Sequence, residues 1–274
     1  MNKHKGKKTV LFILTLILFV FAIFPFLMIL LNSFKDNVAI IENPLSFFGS
    51  VGFDNYIAAF KTMNFMSALL NTIIITVGSL LLLIVFSSML AYFLARWDWK
   101  ANKVILLVLI ASMIIPFQAV MIPLVAIYGR MGILNTRLSL IIFYLGFGVA
   151  MATFMYHGFI QSIPVELEEA ATIDGCSNFR RFWQIVFPLL SNITSTIIVL
   201  DLLWIWNDYL LPSLVLVRKE QRTLPLTTFY FFGTYSSQFG YGMAALVMTI
   251  TPILVIYLFA QDKIINGVVE GAIK

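Results

Sequence analysis

Apolar residues run along this chain in six long blocks, near 9–32, 69–95, 104–127, 138–161, 189–217 and 243–261, separated by shorter polar stretches. Each block is long enough to cross a hydrocarbon core of roughly 30 Å, which takes about 20 helical residues. The blocks run well past the roughly 10 alternating residues of a barrel strand, and a helix closes its own backbone hydrogen bonds in lipid. The pattern therefore predicts an all-α membrane protein with six transmembrane helices in one integral-membrane domain over 1–274. Pro25, Pro116, Pro123 and Pro252 fall inside three of the blocks. Neighbouring helices can satisfy the carbonyls a proline frees, so kinks are expected there and breaks are not.

The polar stretches carry local signals of their own. Between the first two blocks, Asp54-Asn55-Tyr56-Ile57-Ala58-Ala59-Phe60 has a cap-like start and apolar residues at helical spacing, which predicts a short surface helix. Between the fourth and fifth blocks, the loop 162–188 reads as two short helices. In the first, Pro164 suits an opening turn, Glu166, Glu168 and Glu169 favour the positive end of the helix dipole, and Gly175 can take the left-handed conformation that ends a helix. The second starts at Asn178 and runs to Phe187, before Pro188 opens the next block. Ala170 and Ala171 leave one helix surface with little bulk, and Glu169 adds a charge, so this surface suits docking of another protein better than catalysis.

Composition sharpens the class. With 61% apolar and 11% charged residues over 274 positions, and a mean hydropathy of +0.96, the chain cannot cover a water-facing surface with polar side chains. The net charge of +5 is scattered among loops, apart from Lys3, Lys5, Lys7 and Lys8, which argues for a topology signal and against nucleic-acid binding. The apolar run from Thr9 to Leu31 is too long for a signal peptide and no small-residue cleavage site follows it, so it is expected to remain as an anchor. With six spans and both termini in the cytoplasm, the inner segments hold eleven Lys and Arg against seven outside, which favours that orientation. Cys176 is the single cysteine, an ordinary turn neighbour, and no metal-ligand spacing occurs.

The string Glu169-Ala170-Ala171, three residues, Gly175, nine residues, Ile185, one residue, then Phe187-Pro188 resembles the cytoplasmic loop of permease subunits in binding-protein-dependent ABC importers. The usual pattern has leucine where Phe187 stands. Four further stretches resemble the carbohydrate-uptake branch, and within it the second permease of maltose-type and other oligosaccharide importers: Phe53-Asp54-Asn55-Tyr56, Asn71-Thr72, Trp206-Asn207-Asp208-Tyr209-Leu210-Leu211-Pro212, and the terminal Gly271-Ala272-Ile273-Lys274. The resemblance implies a type I importer permease fold with a cytoplasmic coupling helix. It implies a heterodimer with a second permease, ATPase subunits that bind ATP and Mg, an extracytoplasmic solute-binding protein, a sugar substrate and a bacterial cytoplasmic membrane. Glu168, Glu169, Ala170, Ala171, Asp174, Gly175, Ile185 and Pro188 become the coupling candidates. No G-x-x-x-x-G-K-[ST] phosphate cradle occurs, since Gly6-Lys7-Lys8-Thr9 lacks both the preceding glycine and the hydroxyl after the lysine, so no catalytic residue and no cofactor is expected in this chain.

Asp201 lies near the middle of the fifth block, and with Trp204 and Asp208 it predicts one polar helix face. A carboxylate at that depth is costly in lipid, so the face should meet another helix or line the solute path. In maltose-type systems the resemblance assigns most sugar contacts to the partner permease. His157 reads as a helix-packing or interface residue, and the aromatic residues as lipid-facing and interfacial packing. The segment with Thr223-Leu224-Pro225-Leu226 and Phe231-Phe232-Gly233-Thr234-Tyr235 corresponds in the family to a loop that reaches the binding protein; a plain connecting loop also fits. Thr223, Leu224, Pro225, Phe232 and Gly233 are its contact candidates. Alternatives are an ABC permease for a non-sugar solute, an ion-driven secondary transporter, a membrane enzyme or a channel. The secondary transporter should show matching broken helices in its two halves, and the enzyme clustered His, Asp or Glu.

Overall fold

The structure, a computed structural model, describes residues 2–47, 51–233 and 238–272. Thr234, Tyr235, Ile273 and Lys274 lie outside the described residues. The chain is helical nearly throughout: α1 Asn2–Asn32, α2 Asn37–Glu42, α3 Asp54–Thr62, α4 Phe65–Arg96, α5 Lys100–Ser112, α6 Phe117–Arg130, α7 Arg137–Ile160, α8 Glu166–Ile173, α9 Asn178–Arg181, α10 Phe187–Leu189, α11 Ser191–Asn207, α12 Leu210–Val215, α13 Leu224–Thr228 and α14 Phe239–Ala272. By length and composition, four helices can cross a membrane: Lys7–Asn32, Phe65–Arg96, Arg137–Ile160 and Phe239–Phe259. The number rises to six if two bent pairs, Lys100–Ser112 with Phe117–Arg130 and Asn178–Leu189 with Ser191–Asn207, each count as one span.

The first pair departs from the unbroken block that the hydrophobic pattern suggests. The bend between α5 and α6 is 101°, a break and not a kink. Pro116 has no amide hydrogen, and the residue before a proline is pushed out of helical geometry. The amides of Met113, Ile114 and Ile115 accordingly turn back to Ile110, Ala111 and Ser112, and α6 starts afresh after Pro116. Pro25, Pro123 and Pro252 stay inside their helices, as expected. The block 189–217 is interrupted as well, at Asp208, whose backbone is extended at φ −70° and ψ 128°. Its Oδ1 accepts the amides of Leu210 at 2.9 Å and Leu211 at 3.4 Å, so the side chain replaces helical partners and opens α12.

The described chain falls into two compact units, Met1–Phe65 with Thr227–Pro252, and Met66–Leu226 with Ile253–Lys274. In the first, Lys35 is fully buried and its Nζ donates to Asn32 Oδ1 at 3.0 Å and to the carbonyls of Asn43 and Pro44 at 3.2 and 3.0 Å. Desolvation lowers its pKa from the ordinary lysine value. Asn55 on α3 donates to the carbonyls of Ser33 and Lys35, both at 2.8 Å, and a Cβ at Gly240 would come within 2.5 Å of Lys35 O, so that close approach requires glycine. The expected surface helix is α3, and Asp54 is its first residue, with no side-chain cap at Phe53. No residue in the apolar window of α1 is buried within the chain.

The second unit holds two apolar clusters. Ile75, Leu83, Leu140, Phe143, Tyr144, Ile205 and Val215 bring α4, α7, α11 and α12 together; Ala91, Tyr92, Tyr156, Phe182, Val186 and Ile197 join α4, α7 and α11 to the loop 162–188. A Cβ at Gly148 would sit 2.8 Å from Leu83 Cδ2, so α7 and α4 approach closely there. The segment after α12 is tied down by polar side chains. Asn71 Nδ2 donates to Glu220 O at 2.8 Å and Arg222 O at 3.0 Å, Thr72 Oγ1 accepts the Leu224 amide at 2.9 Å, and Asn135 Oδ1 accepts the amides of Val217 and Arg218.

Asn71→Ala should cost about 2 kcal/mol, since it leaves two loop carbonyls without their buried donor. Hydrogen exchange should show faster exchange across 217–224; unchanged exchange there would contradict the tether.

Candidate functional site

The loop 162–188 folds as its sequence suggests, and the reason is local. Three acids occupy the first turn of α8, where no side-chain cap is made at Val165, so their charge meets the free amides of the helix start. At the other end Gly175 has φ +84°, and the amides of Gly175 and Cys176 turn back to the carbonyls of Thr172 and Ala171 at 3.0 and 2.9 Å. This pair of reversed bonds is the Schellman ending that a left-handed glycine permits. Ser177 then caps α9 by accepting the Arg180 amide. Residues Phe182–Val186 form a π-helical turn closed by the Phe187 amide on Phe182 O, so the second helix of the loop is α9, a wide turn and α10 in succession.

One carboxylate organises the inner side. Glu168 is only 4% exposed, and its Oε1 accepts Arg96 Nε at 2.7 Å while its Oε2 accepts the Tyr92 hydroxyl at 2.6 Å. Arg181 Nε lies 3.4 Å from the same Oε2 and donates to the Tyr92 oxygen at 3.0 Å. The two guanidinium groups are themselves engaged: Arg96 Nη2 donates to Ile163 O, and Arg181 donates to Thr172 Oγ1 at 2.7 Å and Asn178 Oδ1 at 3.1 Å. Burying a charge is tolerable when its partners are close and hydrogen-bonded, as here. Tyr92 and Phe182 pack at 5.1 Å, and Trp183 sits on Phe182 and Phe187, which walls the cluster with aromatic rings. The result bolts α8 and α9 to the end of α4.

The coupling candidates therefore divide. Glu168 and Ala171 face inward and are buried, so they hold the loop and do not meet a partner. Glu169, Ala170, Asp174 and Gly175 are exposed. Ile185 is half-buried in the π turn, and Pro188 is exposed at the bend before α11. Ile173, 87% exposed, and Phe179, 66% exposed, add apolar surface beside the outward acids, which the sequence reading did not single out. It also missed Tyr92, Arg96 and Arg181 as partners. Tyr92 and Arg96 are four residues apart and so share a helix face, the one signal that could have paired them with an acid.

The polar face of the fifth block is split by the break at Asp208. Trp204 packs edge-on against Tyr144 at 5.5 Å, and Tyr144 donates to Asp208 Oδ2 at 2.9 Å, so these two candidates meet through Tyr144. Asp201 is buried elsewhere on α11 and does not join them. His157 is half-buried on α7, next to Gln161 in a separate pocket. Thr223, Leu224 and Pro225 are buried under the Asn71 and Thr72 tether, leaving Phe232 and Gly233 as the exposed members of the proposed contact loop. Among the described residues, no group of three or more His, Cys, Asp or Glu could hold a metal ion.

Residues 84–268 match the family described as "Binding-protein-dependent transport system inner membrane component". Over 274 residues, all of both chains, the sequence is 46% identical to the "Probable starch degradation products transport system permease protein AmyC" of Thermoanaerobacterium thermosulfurigenes. It is 37% identical over 91% of both chains to the "Melibiose/raffinose/stachyose import permease protein MelC" of Bacillus subtilis. In fold it resembles a chain of the crystal structure of "a bacterial ABC transporter involved in the import of the acidic polysaccharide alginate", with a TM-score of 0.80, 22% identity, and coverage of 96% of this chain and 98% of that one.

Glu168→Ala should destabilise the fold by about 3 kcal/mol or more, because it strands two partly buried guanidinium groups. Glu169→Ala, one residue along on the exposed side, should stay within about 0.5 kcal/mol. Thermal unfolding in detergent separates them; equal shifts would contradict the inward role of Glu168.

Proposed function

Because the chain belongs to the family of binding-protein-dependent transport system inner membrane components, we propose that it is a permease subunit of an ATP-driven oligosaccharide importer and that α8 receives force from a separate ATPase subunit. The observation that carries this reading is the two-sided character of α8. Its inner side is clamped to α4 through Glu168, and its outer side offers Glu169, Ala170, Asp174 and the bare apolar side chain of Ile173. Together with Phe179 on α9, Ile173 gives this side exposed apolar groups beside charge, which supports a surface that another protein covers. A helix fastened to a spanning helix and open on its far side can turn a push from a soluble motor into tilt of the span.

Sugar as the solute is supported by the relatives named for starch degradation products and for melibiose, raffinose and stachyose. The chain is a transport subunit and not an enzyme, and the sequence carries no phosphate-binding loop, so ATP and Mg belong on the ATPase subunits. A second permease and lipid would cover α1, whose apolar window buries no residue within this chain. The solute-binding protein would meet the exposed Phe232 and Gly233. The balance of Lys and Arg supports an orientation with α8 and both termini in the bacterial cytoplasm, where the ATPase would reach α8.

The test is made in the assembled transporter, reconstituted with its binding protein. Ala170→Trp and Glu169→Arg both alter the outer side of α8 and spare Glu168. Each should lower ATP-driven sugar uptake about 5- to 150-fold, the span of a lost 1–3 kcal/mol coupling, with the spans still inserted. Normal ATP-driven uptake by both variants, or uptake that follows an ion gradient in place of ATP, would overturn the reading.

A further inference from the structure

The α5–α6 break and the helix stop at Asp208 open onto one cavity of about 390 Å3, inside the roughly 300–1,000 Å3 range of small-molecule sites. Ser112, Phe117 and Gln118 line it from the α5–α6 break, Phe147 from α7, and Trp204 and Asp208 from the end of α11. Non-helical backbone at membrane depth is tolerated where it borders a cavity, and both breaks meet that condition here. Resting on the sugar-import reading, we propose that this cavity is a sugar-binding subsite of this chain itself and that it selects neutral over acidic sugar rings.

The chemistry of the wall supports each half of that statement. Phe117 and Phe147 pack edge to face at 5.3 Å, and Trp204, 41% exposed, is propped on Tyr144 with its outer ring 3.4 Å from where a Cβ at Gly148 would lie. Rigid aromatic surfaces of this kind cover the apolar faces of a sugar ring. Asp208 supplies the matching acceptor. A carboxylate has about four lone-pair sites. Oδ1 takes the two amides of Leu210 and Leu211, and Oδ2 takes Tyr144, which leaves a position on Oδ2 for a sugar hydroxyl. The exposed Gln118 amide can both donate and accept across the cavity. Among the described residues that line it, Asp208 is the only ionisable group, and no Lys, Arg or His faces it. A uronate brought beside Asp208 would meet a like charge in a site with no counter-ion, whereas a neutral hydroxyl would find an acceptor.

The experiment reads thiol protection in the full transporter complex held in lipid nanodiscs. Gln118→Cys, and separately Ser112→Cys, are placed in a Cys176→Ser background and labelled with a maleimide, with maltotriose and trigalacturonate as the probes. Maltotriose at about ten times its half-saturating concentration should slow labelling at both positions about tenfold, since only empty sites react. Trigalacturonate should leave the rate unchanged. ATP-driven uptake of maltotriose by the unmodified complex is measured in parallel. Uptake with no protection at either thiol would overturn the subsite and leave the importer reading standing. Equal protection by both sugars would overturn the neutral selection, and protection without any ATP-driven uptake would count against the importer reading alone.

Discussion

Everything that α8 can do depends on one buried carboxylate. Glu168 is held by Arg96, Arg181 and Tyr92, and through them a short loop helix is joined to the last turn of a 32-residue spanning helix and to the start of the next helical segment. Without that charge the buried side of α8 would be Ala171 alone, too little apolar surface to fix a helix of eight residues. Ion pairs on open surfaces contribute little, but here both oxygens are used, both guanidinium groups have second partners and aromatic rings pack against the cluster. The orientation of the outer face follows: with Glu168 pointing in, Glu169, Ala170 and Ile173 must point out.

A second constraint shapes the middle of the second unit. Pro116 and Asp208 each stop a helix that its apolar sequence would otherwise continue, and the freed backbone groups are taken up locally, by reversed turns before Pro116 and by the Asp208 carboxylate after α11. The two stops face the same cavity, so polar atoms gather where both helices are interrupted. Carbohydrate recognition needs that combination of aromatic surface and few polar groups, and an uninterrupted bundle would not provide it.

Much of this was legible in the sequence because it depends on residues close together along the chain. The apolar blocks, the glycine that ends α8, the start of α9 at Asn178 and the surface helix at Asp54 all follow from local rules. The errors arise where a residue has a distant partner. Glu168 looks like one more acid in a helix start until Arg96, 72 positions away, is beside it. Asp208 looks like part of a polar stripe on a continuous helix, but its carboxylate ends that helix. Thr223, Leu224 and Pro225 look like an open loop until Asn71 and Thr72 fasten them down. In the sequence Asn71 and Thr72 stand out only by resemblance, whereas in the fold they hold the segment 220–224.

The central claim is that α8 and α4 move as one body. It is tested most directly by spin labels at Ile173 on α8 and Leu81 on α4, both well exposed, in the assembled transporter. The account predicts a single narrow distance between the labels that stays the same when ATP binds. A broad distribution, or a distance that shifts with ATP, would show α8 moving independently of the span and would contradict it.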